Sequence, residues 1–210
     1  MFITLEGPDG SGKTSQIDPL VHYLETREYQ VVPTREPGGT DIGNQVRQVL
    51  MDLKNKGMHP STEILLFQAS RSQLVNEVIR PSLSAGKVVL CDRFADSTIA
   101  YQGHGHQVDL IELQSIIQFA TRSLKPDLTV FLDITPQEGL RRNQHSGKWN
   151  RLDDYDLAFH KRVYAGYQSL MDAEPERWVV VDGAQAPQSV QEDLRQVILE
   201  RLEAQRQHPG

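Results

Sequence analysis

The stretch FITLEGPDGSGKT, residues 2–14, decides the fold. FITL is an apolar run with strand character, and GPDGSGKT behind it keeps the spacing G-x-x-x-x-G-K-[ST] before a helix-like segment. Strand, glycine turn and helix start in that order make a phosphate cradle, because backbone N–H groups turn inward and the helix adds its positive end. Gly7, Pro8, Asp9, Gly10, Ser11 and Gly12 then form the loop around the donor phosphates. Lys13 bridges the outer phosphates, and the Thr14 hydroxyl is placed to ligate Mg²⁺.

Working outward, short apolar runs recur between helix-periodic stretches: FITL (2–5), VVP (31–33), VVLC (88–91), LTVFLD (128–133) and WVVVD (178–182). The alternation predicts an α/β fold, a parallel sheet with helices on both faces. Helices are expected over 62–83, 108–121, 155–171 and 188–204, with Ser61 or Thr62 capping the first of these. Pro19 falls inside the helix after the phosphate loop and is expected to kink or shorten it. One domain is expected over 1–206, with 207–210 as a frayed tail.

The bulk properties narrow the function. The chain has 210 residues, 38% of them apolar, and 28 acidic against 22 basic side chains give a net charge of -6. A duplex-coating basic surface is therefore not expected, which disfavours nucleic acid as a partner. The single cysteine, Cys91, allows no intrachain disulfide. The N-terminus reads as a strand rather than a leader, and no apolar run approaches the roughly 20 residues that span a bilayer. The expected compartment is the cytoplasm.

Nucleotide binding does not by itself choose a reaction. Asp92 ends the VVLCD strand where a P-loop protein keeps a carboxylate near its metal, directly or through water. No N-K-x-D element reads guanine, so the acceptor must decide between kinase and hydrolase. TREPGGT (34–40), FQASR (67–71) and DRFADSTIAYQG (92–103) follow strands or lie on the long helix, and parallel strand ends open onto one crevice. Arg35, Arg71 and Arg93 lie in these segments, and Arg47 follows seven positions after the end of the first segment. Two anionic nucleotides brought end to end repel, and planar guanidinium groups suit the task of offsetting that repulsion. Phe67 and Arg71, four apart on a helix, share a face and can present a ring and a hydrogen-bonding head to a planar base.

GPDGSGKT, TREPGGT, FQASR, DRFADSTIAYQG, PDLTVFLDITP and the distal RL pattern, in this order and at these separations, resemble bacterial thymidylate kinases from about Phe2 to at least Val190. The resemblance implies a P-loop NTPase-type fold, a five-stranded parallel sheet flanked by helices, in a homodimer that moves the γ-phosphoryl of ATP onto dTMP with Mg²⁺. It places Phe67 on the thymine ring and Arg71 at its edge. Thr98 and Ser97 face the pyrimidine, with Gln102 nearby. Tyr101 crowds the sugar 2′ position, and Asp9 meets the 3′-hydroxyl. Arg35, Arg47 and Arg93 surround the acceptor phosphate, and the Glu36–Pro37 peptide is expected to be cis. No general base is required, since the acceptor oxygen is already ionised.

The resemblance also assigns a short mobile lid at about 141–153, whose cation reaches the transferring phosphoryl. RRNQHSGKWNR (141–151) departs from the family's alternating arginines, which makes Arg142 and Arg151 the first candidates and Lys148 a weaker one. Gly10 holds the loop position where some relatives carry an arginine. DGAQAP (182–187) matches the loop beside adenine. GHGH (103–106) lacks a third ligand for zinc, and Cys91 is expected as a buried strand residue. Two other readings stay open: another nucleotide or deoxynucleoside kinase, and a regulatory protein with a decayed kinase site.

Overall fold

The computed structural model describes residues 1–147 and 149–207. Lys148 and the tail residues 208–210 lie outside the described residues. The chain runs β1 (Phe2–Glu6), α1 (Lys13–Glu25), β2 (Val31–Arg35), α2 (Asp41–Met51), α3 (Pro60–Leu74), a π-helical turn (Val75–Ile79), α4 (Arg80–Ser84), β3 (Val88–Asp92) and α5 (Ala95–Thr98). A second π-helical segment (Ile99–Gly105) follows, then α6 (Leu110–Thr121), β4 (Leu128–Asp133), α7 (Pro136–Ser146), α8 (Leu157–Ala173), β5 (Trp178–Asp182) and α9 (Pro187–Gln207).

The five strands are all parallel, in the order β2-β3-β1-β4-β5. β1 and β3 are buried along their whole length, which is why their sequences are apolar without alternation. Side chains still alternate between the two faces. Ile3, Leu5 and Leu90 pack under α1 and α9, whereas Phe2, Val89 and Cys91 pack under the α3 side. Asp92 stands level with Leu5 on one side and Arg35 on the other, so β2 and β3 deliver an opposite pair of charges at one height beside the apolar end of β1. The chain leaves β1 for one edge and crosses after β3 to the other, and such a switch point opens a crevice at the strand ends.

Two local expectations are corrected. α3 starts at Pro60, with His59 rather than Ser61 or Thr62 as its cap: His59 Nδ1 accepts from the Ser61 N–H at 3.3 Å. Proline at the first helical position has its φ already set for a helix and gives up only an orphan N–H. α1 runs unbroken through Pro19, which is exposed. Ser15, whose carbonyl would have received an N–H from position 19, is exposed as well, so the carbonyl loses its partner where solvent can reach it. Among the described residues no helix is long and apolar enough to cross a membrane.

Candidate active site

A crevice of about 330 Å³ opens at the carboxyl ends of β1, β2 and β3. Its walls include Asp9, Lys13 and Thr14 from the phosphate loop and Arg35 and Arg47 from the β2–α2 region. Phe67 and Arg71 of α3, Asp92 and Arg93 after β3, and Ser97, Thr98, Tyr101 and Gln102 beyond them complete it. Residues as far apart in sequence as Asp9 and Leu152 thus meet in one cavity, as parallel topology requires.

The loop is shaped by backbone that side chains cannot follow. Gly10 has φ 77°, and a Cβ there would lie 2.2 Å from the Gly139 carbonyl oxygen of α7. An arginine at position 10 would therefore have to push α7 away, which gives a steric reason for glycine there. Gly7, Pro8 and Ser11 lie behind the crevice wall, and Lys13 Nζ reaches back to them: it donates to the carbonyls of Gly7 at 2.9 Å and Pro8 at 2.8 Å and to Ser11 Oγ at 3.0 Å. Burial and the neighbouring Arg93 pull the Lys13 ammonium down to about 8, against the opposing pull of Asp92, Asp9 and Glu6. Thr14 Oγ1 donates to Asp92 Oδ2 at 2.5 Å. These two hard oxygens beside Lys13 fit Mg²⁺, which takes one or two protein oxygens and completes its octahedron with water and phosphate. Among the described residues no group of three or more His, Cys, Asp or Glu side chains is arranged to hold a metal.

Arg93 sits at φ 68°, a left-handed conformation costing about 1–3 kcal/mol for a bulky residue, and the surroundings hold it there. Its Nη2 donates to Asp9 Oδ1 at 2.7 Å and Tyr101 Oη at 3.3 Å, and its Nη1 to Ser97 Oγ and Tyr167 Oη, each at 3.1 Å. Tyr101 Oη donates to the other Asp9 oxygen. Burial works to raise the Asp9 carboxyl, but Arg93, Lys13 and the Tyr101 hydrogen bond hold it below the usual range.

Beneath this group lies Glu6, fully buried, which sequence reasoning missed. Its carboxylate accepts from the Phe94 N–H at 2.7 Å, Ser97 Oγ at 2.6 Å and Tyr167 Oη at 2.9 Å. Burial and Asp96 push the Glu6 carboxyl up to about 7. A lone acid ending an apolar strand was the available signal. Ser97 lines the crevice, but its hydroxyl is committed to Glu6, so it braces Arg93 rather than offering a free donor to a pyrimidine.

Arg35 is exposed, and Arg47 is held by the Pro37 carbonyl, which accepts from its Nη1 at 2.9 Å. Burial and Arg35 lower the Arg47 guanidinium from its ordinary value, against the opposing pull of Asp92 and Asp9. The Glu36–Pro37 peptide is cis, as the resemblance implied.

At the apolar end, Phe67 packs with Leu50 and Leu152. Arg71 shares its helix face but is only 1% exposed, and each of its guanidinium nitrogens has a protein acceptor. Nε donates to Glu36 Oε2 at 2.7 Å, Nη1 to Gln68 Oε1 and Thr98 Oγ1, each at 2.9 Å, and Nη2 to the Phe94 carbonyl at 3.1 Å. Arg71 lines the crevice, and sequence reasoning missed Glu36 as its partner.

The expected lid divides. Its first part is not a loop, since α7 continues to Ser146. Arg142 lines the crevice, its Nε donating to Glu138 Oε1 at 2.8 Å and its Nη1 to the Gly183 carbonyl at 2.9 Å, next to the loop expected at adenine. Arg151 does not face the crevice. It is 2% exposed and ion-paired with the fully buried Glu63, Nη2 to Oε2 at 2.6 Å, while its Nε donates to the Leu50 carbonyl at 2.8 Å. A guanidinium so placed cannot also meet a transferring phosphoryl, which corrects the expectation for Arg151. Its neighbours Asn150 and Leu152 line the crevice instead. GHGH lies at the end of the second π-helical segment, where the His106 ring packs edge-on against Tyr155 at 5.0 Å. Cys91 is buried, as expected.

Comparison with known proteins agrees with this geometry. The family profile described as Thymidylate kinase matches residues 5–194. The chain is 47% identical to a thymidylate kinase of Exiguobacterium sp. AT1b over 97% of this chain and 96% of that protein. It is also 47% identical to one of Roseiflexus castenholzii over 94% and 92%. It superposes with a TM-score of 0.77 on the crystal structure of thymidylate kinase from Ehrlichia chaffeensis, at 34% identity, covering 94% of this chain and 98% of that one. With phosphate loop, guanidinium cluster and aromatic shelf in one crevice, and likeness along nearly the whole chain, the protein belongs to the thymidylate kinase family.

Proposed function

We infer that the chain transfers the γ-phosphoryl of ATP to the 5′-phosphate of dTMP. An acceptor phosphate oxygen forms the new P–O bond as the bond to the β-phosphate oxygen breaks, giving dTDP and ADP. The observation that carries this reading is that Arg35, Arg47 and Arg93 share one crevice with Lys13, so that cations flank the place where an acceptor phosphate would meet the donor's γ-phosphate. Such a reaction demands positioning and charge neutralisation more than covalent help. In this reading the loop 7–14 cradles ATP and Lys13 bridges its outer phosphates. Thr14 and Asp92 would hold Mg²⁺, directly or through water, and the bound ion would offset phosphate charge. Arg93 orients the acceptor phosphate while Asp9 and Tyr101 meet the sugar. Phe67 stacks on the base, and Arg142 supplies the lid cation.

The reading includes a homodimer in the cytoplasm. Its support is the apolar surface left bare on two packed helices: Leu65 of α3 is 59% exposed, and Ile111 and Phe119, two turns apart on α6, are 77% and 86% exposed. Light scattering that finds only monomer overturns the dimer.

A coupled assay for ADP release, run with ATP, Mg²⁺ and a panel of acceptors, tests the function. Turnover with dTMP is expected. Turnover with thymidine but not dTMP, or tight nucleotide binding without product, overturns it.

A further inference from the structure

Glu63, at the first turn of α3, is fully buried and does not itself line the crevice, yet four side chains converge on it. Gln102 Nε2 donates to its Oε1 at 2.7 Å, and His106 Nε2 stands 3.3 Å from the same oxygen. On Oε2, Arg151 Nη2 lies at 2.6 Å and Tyr155 Oη donates at 3.3 Å. Burial works to raise the carboxyl, but His106, Arg151 and Gln102 hold it below the usual range, so it is ionised and can only accept hydrogen bonds.

That one-sidedness matters for Gln102. An amide has a donor end and an acceptor end of nearly equal shape, and its neighbours choose which faces where. An ionised carboxylate takes the NH₂ end, which turns the carbonyl the other way. Gln102 lines the crevice beside Thr98 and Phe67, and no described residue donates to its Oε1. Arg71 has its guanidinium nitrogens committed to protein acceptors. The Gln102 carbonyl is therefore an acceptor left free at the apolar end of the crevice.

We propose that Glu63 is a specificity-determining positioning residue, whose carboxylate locks the Gln102 amide with its carbonyl toward the base so that the site selects pyrimidines carrying a ring N–H, and whose ion pair with Arg151 ties the root of the lid to that selection. The inference rests on the function proposed above. Thymine and uracil present an N–H at ring position 3, whereas cytosine presents a bare acceptor nitrogen there and leaves the carbonyl facing a lone pair. Unpaired buried polar groups are what allow a site to reject an analogue strongly.

The test compares kcat/KM for dTMP, dUMP and dCMP in the wild type and in Glu63→Gln, where the neutral amide lets Gln102 adopt either orientation. The dTMP-to-dCMP preference is expected to fall at least about tenfold, while the dTMP-to-dUMP ratio, which involves the same ring edge, stays at its wild-type value. Loss of fold stability alone moves neither ratio. Because Glu63→Gln leaves Arg151 without its counter-charge, the double variant Glu63→Gln/Arg151→Met repeats the measurement with no unpaired buried charge. A dTMP-to-dCMP preference equal to wild type in whichever variant is folded overturns the assignment of Glu63 while leaving the kinase reading intact. Absence of dTMP turnover in the wild type overturns both.

Discussion

Arg151→Met separates a structural from a catalytic guanidinium. The Arg151–Glu63 pair is 2.6 Å long, with side chains 2% and 0% exposed, so water screens it little. Removing the cation leaves the Glu63 carboxylate buried with only Gln102, Tyr155 and His106 beside it, and strips the Leu50 carbonyl of its donor. Breaking one side of a buried pair costs about 3–5 kcal/mol. For a chain of this length each kcal/mol moves Tm by about 2–4 °C, so a fall of about 6–20 °C is expected. Methionine keeps the apolar bulk, so the loss reports charge rather than a cavity. Differential scanning calorimetry with urea unfolding measures it, and the double variant Glu63→Gln/Arg151→Met should recover at least about 1 kcal/mol of the loss. An unchanged Tm together with a kcat reduced a hundredfold would refute the argument, because it would mean that the guanidinium works at the phosphoryl and not in the core.

Three further outcomes follow from the site. Arg142→Ala should lower kcat about 100-fold with KM for dTMP little changed, since a cation that acts on developing charge contributes in the transition state; equal activity moves the role to another residue. Because the free-state Lys13 ammonium is pulled down to about 8, kcat/KM for ATP should decline as pH rises beyond that value, and a profile flat to pH about 9.5 contradicts the assignment. Glu6 holds its proton more tightly folded, at about 7 against an ordinary 4.5. Its contribution to stability is therefore complete below the ordinary value and is lost as pH rises through about 7, a decline on the order of 3 kcal/mol. Glu6→Gln should flatten that decline in denaturant titrations across the same window, and an identical slope in both proteins rules it out.

Much of this protein was legible in the order of its residues. The five apolar runs became the five strands, because a strand buried on both faces must be apolar throughout and helices must fill the intervals. The phosphate loop was legible because its geometry is local: glycine conformations, a helix start and a lysine within eight positions. Other features had no local signature. Pairing in the folded chain joins Arg151 to Glu63, Arg71 to Glu36 and Glu6 to Ser97 and Tyr167 across 35 to 161 positions. A basic residue in a polar segment reads the same whether it will face a phosphate or a buried carboxylate. Sequence spacing thus settled which residues reach the carboxyl ends of the strands. Only tertiary packing decided which of their charges are already neutralised by a partner and which stay free for a ligand, because burial turns a nearby opposite charge from a weak surface attraction into an obligatory pair.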